Sequence, residues 1–254
     1  MYEPFLHLTA YPQIVTEQED RAAFDRFAPN PSSEIHYGSG PDQLLEIYGV
    51  GQPTMAFIHG GYWRPEYDRL HARPAVAELA RALDSSVAHI EYRRIPGDPD
   101  ASINDVTSAV QSLRNLAGIP IVLIGHSAGA HLALCVQHKI PDSVAAVIAL
   151  APVSDLVMAQ QMSLDDAAVA DFLGGLANDR PDLDPRTFME KQASITVIHG
   201  DADIRVPVEM SRNLDVDEYL ELIGVGHFEL IDPISPHFNV VIEATRKRIA
   251  TPEA

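Results

Sequence analysis

The sequence predicts an α/β fold in which helices cover both faces of a mostly parallel sheet. Apolar runs of strand length alternate along the chain with segments whose apolar residues recur at helical spacing. Two of these runs, IPIVLIG at 119–125 and SVAAVIAL at 143–150, are continuously apolar, which is typical of strands buried on both faces. The chain has 254 residues, 46% of them hydrophobic, and this is enough for one domain with a sizeable core.

The elements are predicted from local patterns, taken in chain order. A short helix is expected at 16–28, where Thr16 and Glu19 have the spacing of a capping box. The run LLEIYGV at 44–50 alternates loosely in polarity and predicts a strand at an edge of the sheet. Further strands are predicted at 54–61, 85–92, 119–125, 143–150, 194–200 and 216–224. Helices are predicted at 75–83, 98–117, 128–138, 206–215 and 236–250.

Residues 153–192 interrupt this alternation, because they are polar and acidic and contain no strand pattern. We interpret them as a cap of short helices inserted above the carboxyl ends of the strands, where sheets of this kind hold their ligands. No linker-like composition divides the chain, so residues 1–254 are expected to form a single domain that carries this cap insertion at 153–192.

Charge and composition restrict the classes of partner. The formal charge is −18, from 36 acidic and 18 basic residues, which argues against nucleic acid and against anionic membrane surfaces. No apolar run reaches the roughly 18 residues of a membrane span. The single cysteine, Cys135, cannot form an internal disulfide, which fits a cytoplasmic location. The expected partner is therefore a small molecule.

The most informative motif is Gly125-His126-Ser127-Ala128-Gly129, which matches Gly-x-Ser-x-Gly between a predicted buried strand and a predicted helix. In this context the turn is sharp and exposes the serine hydroxyl at the N-terminus of the helix, where the helix dipole favours developing negative charge. Flanking glycines are expected because side chains there would strike neighbouring elements. We therefore interpret Ser127 as a nucleophile, the alternative being a buried turn serine.

A serine nucleophile needs a base and an acid, which follow it in the chain order Ser, Asp, His. His227 follows the last predicted strand in a glycine-flanked loop and is the expected base. Asp201 and Asp203 both follow the strand at 194–200. Asp203 is preferred because it lies deeper in the loop, whereas Asp201 has the character of a turn residue. Spacing alone leaves both acids open.

Acyl transfer also requires donors for an oxyanion. One expected donor is the backbone N–H of Ala128, the residue after the nucleophile. The other is expected from HGGYW at 59–63, where Gly60 and Gly61 leave the main chain bare. No pair of histidines has metal-ligand spacing with a third ligand, so neither a metal nor another cofactor is expected.

The chain resembles the α/β-hydrolases of the HGG-containing branch, which includes hormone-sensitive-lipase-like esterases, and within it the kynurenine formamidase (arylformamidase) type. The likeness covers about residues 35–250 and rests on HGGYW (59–63), EYRRIPG (91–97), GHSAGAH (125–131), HGDADIRVP (199–207) and GHFELIDP (226–233). Lipase-like relatives usually have Leu-Ala-Pro after the Tyr-Arg pair, whereas this chain has Arg94-Ile95-Pro96. The additional arginine is either structural or paired with nearby acids.

The resemblance implies an α/β-hydrolase fold and a serine hydrolase with Ser127, Asp203 and His227 as its triad and Gly60, Gly61 and Ala128 as its oxyanion hole. It also makes Tyr62 and Trp63 candidates for an aromatic wall around the substrate, although each could instead pack the loop onto the domain. The implied reaction is cleavage of a small acyl amide or ester, most specifically removal of a formyl group from an N-formyl aryl amine. A broad carboxylesterase, a thioesterase and an inactive ligand-binding protein remain alternatives, and a homodimer remains open.

Overall fold

The structure is a computed structural model and describes residues 21–189 and 194–249. Its strands are β1 (Ser33–His36), β2 (Leu44–Tyr48), β3 (Met55–Ile58), β4 (Val87–Ile90), β5 (Ile121–His126), β6 (Val144–Leu150), β7 (Ser194–Gly200) and β8 (Glu218–Leu222). Its α-helices are α1 (Arg73–Leu83), α2 (Pro99–Ala117), α3 (Ala128–Lys139), α4 (Leu156–Gln161), α5 (Leu164–Leu173), α6 (Pro185–Phe188), α7 (Glu209–Arg212) and α8 (Phe238–Ile249).

The strands form one sheet in the order β1-β2-β4-β3-β5-β6-β7-β8. The pairings β1 with β2 and β2 with β4 are antiparallel, and the remaining neighbours are parallel. This confirms the predicted fold class, a mostly parallel sheet with helices on both faces. The parallel strands bring their carboxyl ends to one edge of the sheet, so residues that follow β3, β5, β7 and β8 are near one another.

The two faces of the sheet are covered by different helices, and β5 shows how its sequence serves both. Ile121 and Leu123 belong to an apolar cluster with side chains of α2 and α3. Val122 and Ile124 point the opposite way, into a cluster with side chains of α1 and α8. Successive side chains of a strand alternate between the faces, so a continuously apolar strand is what a two-sided core requires.

At the start of the sheet one prediction is wrong and one strand was not predicted. The strand β2 is not at an edge: all five of its residues are buried, because it lies between β1 and β4. The edge strand is β1, for which no strand was predicted, since its residues SEIH are mostly exposed and contain no apolar run. In the region of the expected helix at 16–28, residues Arg21–Asp25 form a short 3-10 helix. The capping-box pair Thr16 and Glu19 lies outside the described residues.

The segment interpreted as a cap, 153–192, connects β6 to β7. Its described part, 153–189, contains α4, α5, α6 and two 3-10 turns, and no strand. Residues 190–192 lie outside the described residues. Across 21–189 and 194–249, no helix combines the length and apolar character needed to cross a bilayer.

Candidate active site

The turn at Ser127 joins β5, which ends at His126, to α3, which begins at Ala128. Ser127 has φ 56° and ψ −120°, a conformation that residues with a side chain seldom adopt and that is costly outside a functional site. Its backbone N–H donates to the carbonyl oxygen of Leu150 at the end of β6, at 2.8 Å. The turn is thus fixed to the neighbouring strand and places the serine at the N-terminus of α3.

The glycines that flank Ser127 are required by close backbone approaches, as the motif predicted. A Cβ atom on Gly129 would lie 2.2 Å from the carbonyl oxygen of Ile58 and 2.4 Å from that of His59. A Cβ atom on Gly125 would lie 2.5 Å from the carbonyl oxygen of Gly129. These distances are far inside van der Waals contact, so α3 can begin this close to β3 only with glycine at 129, and this close to β5 only with glycine at 125.

His227 and Asp203 are joined by a short hydrogen bond, although 24 positions separate them in the chain. The Nδ1–H of His227 donates to Oδ2 of Asp203 at 2.6 Å. The other carboxylate oxygen accepts from the backbone N–H groups of Arg205 and Val206, at 2.8 and 2.9 Å. Because a carboxylate can only accept, Nδ1 of His227 carries a hydrogen, and in the neutral form of the ring the lone pair is therefore on Nε2.

The environment of Asp203 keeps its carboxyl group ionised. Burial by itself would raise the pKa of Asp203, but the charge of His227 and hydrogen bonds from His199 and His227 hold that pKa well below its usual range. The Nε2 atom of His199 lies 3.2 Å from Oδ2 of Asp203. Asp203 is thus an ionised acceptor whose position is fixed from three sides.

Asp201, the other acid that the sequence left open, has a different role. It lies in the turn after β7, where its Oδ1 atom accepts the backbone N–H of Gly224 at 2.6 Å. Its side chain is exposed, whereas the side chain of Asp203 has no exposed surface. The carboxylate within bonding distance of His227 is therefore that of Asp203.

Ser127 and His227 line one cavity. The contact between their segments runs through His126, whose Nε2–H donates to the carbonyl oxygen of His227 at 3.1 Å. The rings of His126 and His227 are 4.5 Å apart. Burial is the main cause, and the charge of His227 the next, that lowers the pKa of His126 well below its usual value. His126 is therefore an uncharged ring that connects the turn of Ser127 to the loop of His227.

The glycines after β3 lie against the serine turn. A Cβ atom on Gly60 would be 3.0 Å from the Cβ of Ser127, and Gly61, with φ 113°, lines the cavity. Within the described ranges, neither the N–H of Gly61 nor that of Ala128 donates to a protein acceptor. Both N–H groups are therefore free to bind a ligand oxygen beside Ser127.

The cavity at Ser127 is small, with a volume of about 30 Å³, which is room for roughly two water molecules. Its wall is mainly aromatic but also carries charged groups. The lining residues are Arg21, Phe24, Gly61, Tyr62, Tyr67, His71, His126, Ser127, Asp165, Arg205, His227 and Phe228. Burial, followed by the charge of His59, lowers the pKa of His71 to about 3, so this histidine presents a neutral ring to the cavity.

The two aromatic residues after the glycine pair occupy different places. Tyr62 lines the cavity, and its hydroxyl donates to the carbonyl oxygen of Arg205 at 3.1 Å. Trp63 is 3% exposed, stacks on Phe172 of α5 with ring centres 4.4 Å apart, and meets the ring of His131 edge-on. The structure thus brings Tyr62, and not Trp63, to the described wall of the cavity, and the contacts of Trp63 favour the loop-packing alternative.

Several cavity residues were not predicted from the sequence. Arg205 and Phe228 lie one or two positions from Asp203 and His227, so proximity in sequence to the expected triad was the signal that could have identified them. Phe24, Tyr67 and His71 lie in segments without a recognisable motif. Among the residues that the structure describes, no group of three or more His, Cys, Asp or Glu side chains is arranged to hold a metal ion.

The order of the strands, the strained serine between β5 and α3, and the acid and histidine after β7 and β8 define an α/β-hydrolase of the branch that contains hormone-sensitive-lipase-like esterases and formamidases. A family model described as BD-FAE matches residues 48–217, and the chain belongs to that family.

The chain is also similar to individual proteins of related fold. It is 32% identical over 131 residues to a probable isoprenylcysteine alpha-carbonyl methylesterase of Arabidopsis thaliana, a match that covers 46% of this chain. It is 29% identical over 109 residues to a kynurenine formamidase of Salmo salar, covering 39% of this chain. The matched parts are only 27% and 36% of those relatives' own lengths. The crystal structure of esterase B from Lactobacillus rhamnosis superposes with a TM-score of 0.72 at 20% identity, covering 92% of this chain and 90% of that one, which demonstrates the shared fold.

Proposed function

We propose that this protein is a serine hydrolase that cleaves a small acyl amide or ester. Nε2 of His227 takes the proton of Ser127 as the serine oxygen forms a bond to the acyl carbon. The bond from that carbon to the leaving nitrogen or oxygen then breaks, and His227 returns the proton to the leaving group. Water releases the acid from the acyl-enzyme by the same steps. The observation that carries the proposal is the hydrogen bond of 2.6 Å between Asp203 and His227 beside the cavity that contains Ser127.

Asp203 and two backbone N–H groups stabilise the charges that form during the reaction. Asp203 keeps the hydrogen of His227 on Nδ1, so that Nε2 is the basic atom, and it stabilises the imidazolium that forms. The N–H groups of Gly61 and Ala128, with Gly60 completing the loop, donate to the oxyanion of the tetrahedral intermediate. Removal of one such donor typically costs roughly 3 kcal/mol of transition-state stabilisation.

The most specific form of the proposal is removal of a formyl group from an N-formyl aryl amine. A cavity of about 30 Å³ has room for an acyl group of few atoms, such as formyl, and for no larger one. The similarity to the kynurenine formamidase of Salmo salar supports this form.

A carboxylesterase is the second candidate, and the similarity to the methylesterase of Arabidopsis thaliana favours it. The two candidates share every catalytic group and differ in the leaving group. Rates on an N-formyl aryl amine and on p-nitrophenyl acetate separate them: formamide turnover supports the first, and fast ester cleavage without formamide turnover supports the second.

Labelling with a fluorophosphonate, which reacts with an activated serine, tests the reaction class itself. We expect one label per chain, located by mass spectrometry at Ser127, and no label and no turnover in Ser127→Ala. The matched control is Ser154→Ala, because Ser154 is equally buried but bonds the carbonyl oxygen of Met210. A parent protein that binds small amides or esters yet shows neither label nor turnover would instead be an inactive ligand-binding protein.

A further inference from the structure

A cluster of buried ionisable side chains lies beside the loop that carries Gly60 and Gly61, and the proposed reaction uses none of them. His59 has no exposed surface, Glu91 is 1% exposed and Arg94 is 9% exposed. Charged groups this deep are costly unless each has a partner, so their contacts indicate what the cluster does.

His59 makes one hydrogen bond to the glycine loop and one to the cluster. Its Nδ1 atom is 2.8 Å from the carbonyl oxygen of Gly60, and its Nε2 atom is 3.2 Å from Oε1 of Glu91. A carbonyl oxygen only accepts, so Nδ1 of His59 carries the hydrogen of the bond to Gly60. The ring is also stacked on Tyr92, at 4.6 Å between centres, and the Tyr92 hydroxyl donates to the carbonyl oxygen of His59.

The bond from His59 fixes the direction of the next N–H group. The carbonyl of Gly60 and the N–H of Gly61 belong to one peptide, which is planar and trans, so they point in opposite directions. When the carbonyl of Gly60 is hydrogen-bonded to His59, the N–H of Gly61 must therefore point away from His59. Gly61 itself lines the cavity of Ser127. A glycine pair without this bond has many other orientations available to it.

Glu91 is itself held rigidly. It accepts the backbone N–H groups of Arg69 and Tyr92, each at 3.0 Å, and the side chains of Arg69 and Arg94. Arg94 also donates to the carbonyl oxygen of Tyr92 at 2.5 Å. Burial alone would raise the pKa of Glu91, but the hydrogen bond and charge of His59, together with Arg94 and the N–H of Arg69, bring it well below its usual value.

We propose that Glu91 and Arg94 are positioning residues that hold the His59 ring, whose Nδ1–H fixes the Gly60 carbonyl and so aims the Gly61 N–H at the substrate oxygen. This inference rests on the proposed function, because the direction of the Gly61 N–H matters for catalysis only if an oxyanion forms at Ser127. It also assigns a role to Arg94, the position at which the sequence departs from its lipase-like relatives.

Two substitutions of His59 test which of its two hydrogen bonds, to Gly60 or to Glu91, acts on catalysis. Asparagine has an amide nitrogen two bonds from Cβ, as far as Nδ1 of histidine, whereas the amide nitrogen of glutamine is three bonds away, as far as Nε2. His59→Asn therefore keeps a donor for Gly60 and loses the bond to Glu91, and His59→Gln does the reverse. We expect His59→Gln to lower kcat roughly 100-fold with little change in KM, and His59→Asn to retain at least about tenfold more activity than His59→Gln. A merely structural role, in which His59 serves to pair with Glu91, predicts the opposite order and would overturn the proposal.

A second pair of variants controls for loss of a buried charge. Glu46 is as buried as Glu91 and also binds two arginines, Arg69 and Arg73, but it does not contact His59. We expect Glu91→Gln and Glu46→Gln to lower the melting temperature similarly. Only Glu91→Gln should lower kcat, by roughly 10- to 100-fold, and an unchanged kcat in a folded Glu91→Gln protein would refute its positioning role.

Fluorophosphonate labelling of the parent distinguishes the failure of this inference from failure of the proposed function. Absence of label and turnover in the parent removes the serine-hydrolase proposal and this inference with it. A labelled, active parent in which His59→Gln matches or exceeds His59→Asn leaves the proposed function in place and overturns the inference alone.

Discussion

Asp203→Asn is the substitution whose effect follows most directly from the contacts in the site. The Oδ1 atom of Asp203 accepts two backbone N–H groups, and Oδ2 accepts the Nδ1–H of His227. Asparagine has one acceptor oxygen, which must stay on the two backbone donors because its NH₂ group would otherwise face them. The NH₂ group is then directed at Nδ1 of His227.

This arrangement reverses the hydrogen position on His227. To accept from the amide, Nδ1 must give up its hydrogen, and the neutral ring then carries its hydrogen on Nε2, where it cannot take the proton of Ser127. In serine proteases with a Ser-His-Asp triad, the equivalent change lowers kcat by roughly 10⁴-fold, which corresponds to about 5 kcal/mol in the activation free energy. We expect a loss of this size here, measured as kcat on p-nitrophenyl acetate and as the rate of fluorophosphonate labelling.

Asp201→Asn is the matched control, since the two acids lie two positions apart after the same strand. Among the residues that the structure describes, the side chain of Asp201 accepts only the N–H of Gly224. Asparagine keeps that acceptor, so we expect an unchanged kcat and a change of less than about 1 kcal/mol in the free energy of unfolding. Should Asp203→Asn retain a tenth or more of the parent's kcat while folded, or should Asp201→Asn prove the more damaging, the assignment of Asp203 would be wrong.

Two further predictions concern packing and acid stability. Trp63→Phe should leave KM unchanged, because the ring of Trp63 stacks on Phe172 and its indole Nε1 has no partner among the described residues. It should lower the free energy of unfolding by roughly 1–3 kcal/mol, since the smaller ring leaves a cavity in a buried site. A KM increase above tenfold in steady-state assays would mean that Trp63 contacts substrate. The pKa of Asp203 is lower in the folded protein than its unfolded value near 4, so its contribution to stability is complete above that value and is lost as pH falls through the folded pKa. The difference in unfolding free energy between the parent and Asp203→Asn, from urea titrations, should therefore be the same at about pH 6 and about pH 5 and smaller at about pH 3. An equal difference at all three values would contradict this.

The fold class and the residues that follow strands could be predicted from the sequence because both depend on local pattern. Ser127, Asp203 and His227 each lie just beyond a strand, and parallel strands bring such positions to one edge. The choice between Asp201 and Asp203 could not be made in this way, since both follow β7. It depends on side-chain direction, which the turn at Gly224 decides by taking Asp201 as its acceptor.

The features that sequence reasoning missed depend on contacts between distant segments. The edge strand β1 has no apolar run, because only an inner strand needs apolar residues on both faces. Glu91 follows β4 and gives no local sign of burial, since its partners Arg69 and His59 come from two other segments. An ion pair across the fold leaves no periodic trace in the chain, whereas a strand or helix does.

The segment between β6 and β7 is connected to the glycine loop by Arg64, which directly follows HGGYW. At the start of α5, Asp165, Asp166 and Ala167 all have positive φ, a left-handed arrangement that costs roughly 1–2 kcal/mol per residue. The guanidinium of Arg64 donates to the carbonyl oxygens of Asp165 and Asp166, at 2.6 and 3.2 Å, and its Nε atom lies 3.2 Å from the carboxylate of Asp165. Because these contacts offset part of the strain, the left-handed turn depends on a residue of the loop beside Ser127. Asp165 lines the same cavity as Ser127, so the position of this wall is tied to the loop that carries Gly60 and Gly61.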